Sequence, residues 1–148
     1  MTEQPSGARQ LAERLIRHET GGTTGAGAIA DALESAWRQL VEGLEPLVGT
    51  GGAYALIARA VSLARREFPF LGVVRLVPGA RPDFTGIRGS LTSQDDALAE
   101  AAGVAVLEKL LGLLTGLLGE ELGLWPVRAI WPDAVRAALA PRPTDGEA

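Results

Sequence analysis

The stretch VAVLEKLLGLLTGLLG, residues 104–119, places leucine or valine on every side of a helix. Only Ala105, Glu108, Lys109, Thr115 and the glycines Gly112, Gly116 and Gly119 interrupt it. A helix that is apolar all round is either buried at the centre of a protein or set in a membrane, so this segment decides the fold. A spanning helix needs about 20 consecutive apolar residues. The charge-free run here, LLGLLTGLLG at 110–119, is half that length and is bracketed by Glu108 and Lys109 before it and by Glu120 and Glu121 after it. Each of those charges would be costly at bilayer depth. We therefore expect a protein-covered central helix and no transmembrane span.

The rest of the chain is read by what it offers to cover that helix. At 148 residues there is length for one domain with a proper core. Residues 1–7 and 141–148 read as disordered tails, with a single helical domain over 8–140. Within 8–18, Leu11, Leu15 and Ile16 share one face of a first helix. A glycine-rich connector, GGTTGAG at 21–27, follows. Ile29, Leu33, Trp37, Leu40 and Leu44 then step by four, four, three and four, one stripe of a second helix, and Glu34 with Arg38 forms an i,i+4 pair. Pro46 is expected to end it, because it disfavours helical geometry at Glu45. A further helix, opening at Thr50 or Gly51 and running to about Glu67, carries two stripes: Tyr54, Ile57, Val61, Ala64 and Phe68, and Leu56, Ala60 and Leu63. Pro69 stops it.

Residues 69–92 read as an irregular loop. VVRLV at 73–77 has strand propensity, PGARPDFTG is rich in turn residues, and a small β-hairpin pairing 73–77 with 84–87 is expected there. Thr92 or Ser93 should cap the central helix, with Asp95 and Asp96 meeting the positive end of its dipole. Beyond Gly119, short helices are expected over 120–124, 126–131 and 132–139, with Pro126 and Pro132 in first-turn positions. The fold class is thus all-α: a compact bundle of about four to six helices around a very apolar central one, with one small hairpin in the connecting loop.

The composition closes several functional routes. Cysteine is absent, which removes thiolate metal sites, thiol nucleophiles and disulfides. A net charge of −4, with arginines spread along the chain among acids, does not give the positive stripe that nucleic acid requires. Thirteen arginines against one lysine read as the coding bias of a GC-rich genome, and the pattern of a helix ending in Phe68-Pro69-Phe70-Leu71, a leucine-rich helix and a closing Trp131-Pro132-Asp133 suggests a small bacterial protein. The polar opening MTEQPSGARQ lacks the build of a signal peptide, so a cytoplasmic location is expected.

No catalytic, cofactor or metal residue is assigned. His18 is the single histidine, so di-metal pairs of the Glu-x-x-His type cannot form. Ser35, Ser62 and Ser90 have no histidine in a nucleophile motif. Gly49-Thr50-Gly51-Gly52 opens a helix as an anion site would, yet it lacks both the dinucleotide and the Walker spacing. Two sets remain as candidates. Arg59 with Glu120 and Glu121 is a candidate polar pair, read mainly as surface or registry charge. Leu113, Leu117, Trp125, Ile130 and Trp131 form a candidate interface, because the central helix needs more cover than two long amphipathic helices supply. The expected function is a non-enzymatic interaction or regulatory domain that self-associates, as a dimer, or docks on a partner protein. The alternative is a bundle that binds a small apolar ligand or lipid in a pocket lined by residues 110–118 and gated by the loop at 72–92.

Overall fold

A computed structural model of the chain describes residues 7–73, 81 and 84–139. Six α-helices follow one another: α1 (Gly7–Thr20), α2 (Ala26–Ala64), α3 (Phe84–Thr92), α4 (Asp96–Leu118), α5 (Glu120–Ile130) and α6 (Pro132–Leu139), with a 3-10 turn at Pro69–Val73. The fold is an all-α bundle, and no strand occurs among the described residues. The expected tails at 1–7 and 141–148 fall almost wholly outside those residues; Gly7 already belongs to α1.

Helix α4 is the centre. It touches α1, α2, α3 and α5, and Ala102, Val106, Leu107, Leu110 and Leu114 have no exposed surface at all. Leu11, Leu15 and Ile16 of α1 and Ile29, Leu33, Trp37, Leu40 and Leu44 of α2 are buried, so both stripes read from the spacing are core faces. Where α1 and α2 cross α4, Gly103 replaces a side chain: a β-carbon there would stand 2.8 Å from Ile29 Cγ2. By length and composition α2 and α4 could each cross a membrane; half of the most apolar window of α4 is buried inside the protein, and 28% of that of α2.

The two aspartates before α4 divide the capping between two helices. Asp95, rather than Thr92 or Ser93, is the N-cap of α4, its carboxylate accepting from the Leu98 N–H at 2.8 Å. Asp96 reaches across the bundle and accepts from the Ala26 N–H at 2.9 Å, capping the start of α2, which has no side-chain cap of its own. Aspartate at either place meets unpaired amides and the positive dipole end. The break after Leu44 also differs from expectation. The chain stays helical past Pro46 and turns at Gly49, with φ 78° and ψ 165°, a backbone that side-chain-bearing residues rarely adopt.

The hairpin expected in the connecting loop is not seen. Its second half, residues 84–87, is the first turn of α3; of its first half, 73–77, Val73 ends the 3-10 turn and residues 74–77 lie outside the described residues. Phe84, Ile87 and Leu91 step at helical spacing onto α2, and Phe84 packs against Trp37 with ring centroids 5.2 Å apart. Arg88 on the same helix is held 2.7 Å from both Asp31 and Glu34 of α2. Those hydrogen bonds, to Glu34 first and Asp31 second, push its already high pKa further up. Turn-rich composition suggested a hairpin, but tertiary docking of one helical face overrode it.

Helices α5 and α6 close the end of the bundle. Pro126 lies inside α5 rather than opening a new helix. Buried against α2, it packs where a β-carbon on Gly43 would be 3.2 Å from its own Cβ. Gly123 is closer still: a β-carbon there would meet the Leu114 carbonyl oxygen at 2.6 Å and the Thr115 Cα at 2.9 Å. Gly112 and Gly116, in contrast, face open space.

These two kinds of glycine should respond oppositely to alanine. Gly123→Ala drives a methyl into α4 backbone and is expected to destabilise by about 1–3 kcal/mol, as overpacking does. Gly112→Ala removes backbone entropy in an open helical position and should stabilise by roughly 0.5–1 kcal/mol. Denaturant unfolding midpoints of the two variants check both signs.

Candidate functional site

The turn between α4 and α5 is made by Gly119, whose φ of 85° suits glycine and few other residues. Its N–H donates to the Thr115 carbonyl at 2.9 Å, and the Gly123 N–H in turn donates to the Gly119 carbonyl at 2.8 Å. Because Gly123 lies directly on the α4 backbone, α5 is committed to one rotation about its axis. Gly123, Leu124, Pro126 and Val127 face inward and are buried. Glu121, Leu122, Trp125, Arg128 and Ala129 face outward.

This rotation leaves a corner of large apolar side chains in the open. Leu117 is 63% exposed, Leu122 45% and Trp125 53%, and with Leu98 they are the exposed large hydrophobic residues of the described chain. Of the five candidates named from sequence, Leu117 and Trp125 thus stand at the surface. Leu113 and Ile130 are half-buried against the core. Trp131 is a correction: it is 2% exposed and belongs to the interior. Leu122 was missed because a helix broken at Pro126 hides its place beside Trp125, three residues on. The candidate polar pair is also not assembled. Arg59, Glu120 and Glu121 are all exposed, and among the described residues no ion pair joins them.

A second feature carried no signal in the sequence. At the end of α1 the carboxylate of Glu19 accepts three hydrogen bonds: from Trp131 Nε1 at 2.7 Å, from Ser35 Oγ at 2.8 Å and from Gln39 Nε2 at 3.1 Å. Ser35 and Gln39 are one turn apart on α2, and Trp131 joins α5 to α6, so one acid ties three parts of the bundle. Burial pushes its pKa up, but the bonds from Trp131, Ser35 and Gln39, together with the charge of neighbouring His18, outweigh that and leave it below its ordinary 4.5. All of its close donors are spent on packing, and Ser35 donates to a carboxylate rather than to a histidine. This is a structural joint.

The remaining polar places are surface features. Thr50 Oγ1 donates to Glu45 beside the Gly49 turn, so an acid of the chain already occupies the neighbourhood of this glycine-rich loop. Exposed Arg14, Arg17 and His18 of α1 line an open cleft of about 250 Å³ with Asp133, Ala134 and Ala137 of α6. Among the described residues no three histidine, aspartate or glutamate side chains converge as metal ligands would.

Comparison with protein-family models, with curated proteins and with solved structures finds no match to this chain. The fold and the exposed corner are therefore the whole ground for assigning a role.

The Glu19 joint makes a pH-dependent contribution of definite sign. A carboxylate whose folded pKa lies below its unfolded value adds stability above the unfolded value and loses it as pH falls through the folded one. Thermal unfolding should thus show a loss of stability below about pH 4 that is smaller in Glu19→Gln. At pH 7 the same variant should unfold at a lower temperature than the parent. Equal acid sensitivity in the two proteins would contradict this role.

Proposed function

We propose that this chain is a non-enzymatic helical interaction module of the cytoplasm, with a regulatory role, that self-associates or docks on a partner protein through its α4–α5 corner. The observation that carries this reading is the exposure of Leu117, Leu122 and Trp125 on both sides of the Gly119 turn, in a bundle whose other large apolar side chains are mostly buried. Tryptophan is enriched at the energetic centres of interfaces, and clustered exposed apolar surface marks them. The apolar-ligand alternative has less support. Leu110, Leu111 and Leu114 are packed to 0–1% exposure, and the glycines that were to line a pocket open outward.

We also propose that α2 and α4 are core helices and that neither spans a membrane. In helix α2, Asp31, Glu34, Arg38, Glu42 and Glu45 precede the Gly49 turn; the more apolar half after it is interrupted by Arg59 and buries Ala53, Ile57, Ala60, Val61 and Ala64 in the protein. In α4, Glu108 and Lys109 interrupt the apolar run, and Lys109 is 3.0 Å from Glu67. Charges at such depth disfavour insertion.

Light scattering across a dilution series, in buffer without detergent, tests the reading. The parent chain is expected to run above monomer mass at high concentration, and Leu117→Ser with Trp125→Ser should return it to the monomer with little change in unfolding temperature. A strict monomer at the highest reachable concentration that also retains no protein partner would contradict it.

A further inference from the structure

The outward face of α5 carries an acid, a tryptophan and a base in a fixed order. Along this helix, Glu121, Trp125 and Arg128 are spaced by four and three residues, which places them along one side. At about 1.5 Å per residue, the acid lies roughly 6 Å to one side of the tryptophan and the base roughly 4.5 Å to the other. Leu122 and Ala129 make the opposite flank of the same face. Glu120, one residue before Glu121, is turned about 100° away from it. Glu121 and Arg128 are exposed, and neither enters an ion pair among the described residues.

We infer that two copies pair antiparallel through α5, with a twofold axis beside Trp125, so that Glu121 of each meets Arg128 of the partner subunit. The inference rests on the interaction reading above and specifies the partner and the geometry. A twofold axis perpendicular to the helices reverses height but keeps each flank on its own side. The charged flank of one copy therefore faces the charged flank of the other in inverted order, acid against base at both ends. The apolar flanks, Leu122 and Ala129, face each other in the same way, and the two tryptophans fill the middle. A parallel pairing keeps height and exchanges flanks, which sets Glu121 against Leu122 of the partner subunit and leaves both charges without opposite partners. A twofold interface must be self-complementary, and this face is so in one orientation alone. Helix α5 has 11 residues, which is short for an interface, so the dimer should be concentration-dependent rather than permanent.

Charge reversal tests the pairing on surface positions that do not enter the core. Dissociation constants would be measured by analytical ultracentrifugation for the parent, Glu121→Arg, Arg128→Glu and the variant carrying both changes. Each single reversal puts like charges together twice per dimer and should weaken it about tenfold or more; the double reversal restores opposite signs and should return to within about threefold of the parent. A dimer whose affinity the single reversals leave unmoved, or which the double reversal fails to rescue, overturns the antiparallel geometry and leaves the interaction reading standing. A parent that is monomeric throughout overturns self-association itself. A monomer that co-sediments with phosphatidylcholine vesicles overturns it also, by assigning the corner to lipid.

Discussion

Everything in this bundle follows from the need to cover α4 on all sides. An ordinary amphipathic helix presents one stripe to the core and leaves the rest to water. Here leucine and valine recur around the full circumference, so neighbours must approach from several directions at once. Helices α1, α2, α3 and α5 all do so. Each contributes a face of small or branched apolar residues, and contact is close enough that glycine is used at the crossings: Gly103 against Ile29, and Gly123 against the α4 backbone. The last turn of α4 outruns this cover, which is why Leu117 emerges.

Partly buried and surface polar groups act as fasteners between helices that are distant in sequence. Asp96 caps a helix that begins 70 residues earlier. Glu19 binds the indole of Trp131 across 112 residues, and Arg88 clamps α3 to two acids of α2. Apolar packing alone is tolerant of sliding between helices. Hydrogen bonds with fixed partners favour one register, and the acids at helix ends satisfy amides that have no partner within their own helix.

Much of this architecture was legible in the residues. The central helix, the stripes of α1 and α2 and the start of α6 at Pro132 all came from period and punctuation. Misreadings arose where a local signal met a tertiary one. Pro46 reads as a stop, but glycine three residues later offered the backbone a sharper turn. The region around Phe84 reads as a hairpin because of its turn-forming neighbours, yet Phe84 packs on Trp37 from the first turn of a helix whose Ile87 and Leu91 are buried. Pro126 reads as a beginning and is instead an interior contact with Gly43. The exposed corner was half legible: apolar composition singled out Leu117 and Trp125, whereas the placement of Trp131 inside and Leu122 outside depends on the rotation of α5, which Gly123 sets. Glu19 could not have been found, since no local spacing relates it to Trp131 or to the Ser35–Gln39 turn of α2.

The central claim is that protein, and not lipid, shelters the leucine-dense helix. Hydrogen exchange of the chain purified without detergent tests it most directly, because exchange reports how far each segment must open to reach water. The account predicts that the amides of residues 102–114 exchange most slowly of all, with those of 117–122 much faster. A chain that can be extracted only with detergent, or a central helix that exchanges as freely as the helix ends, would contradict it.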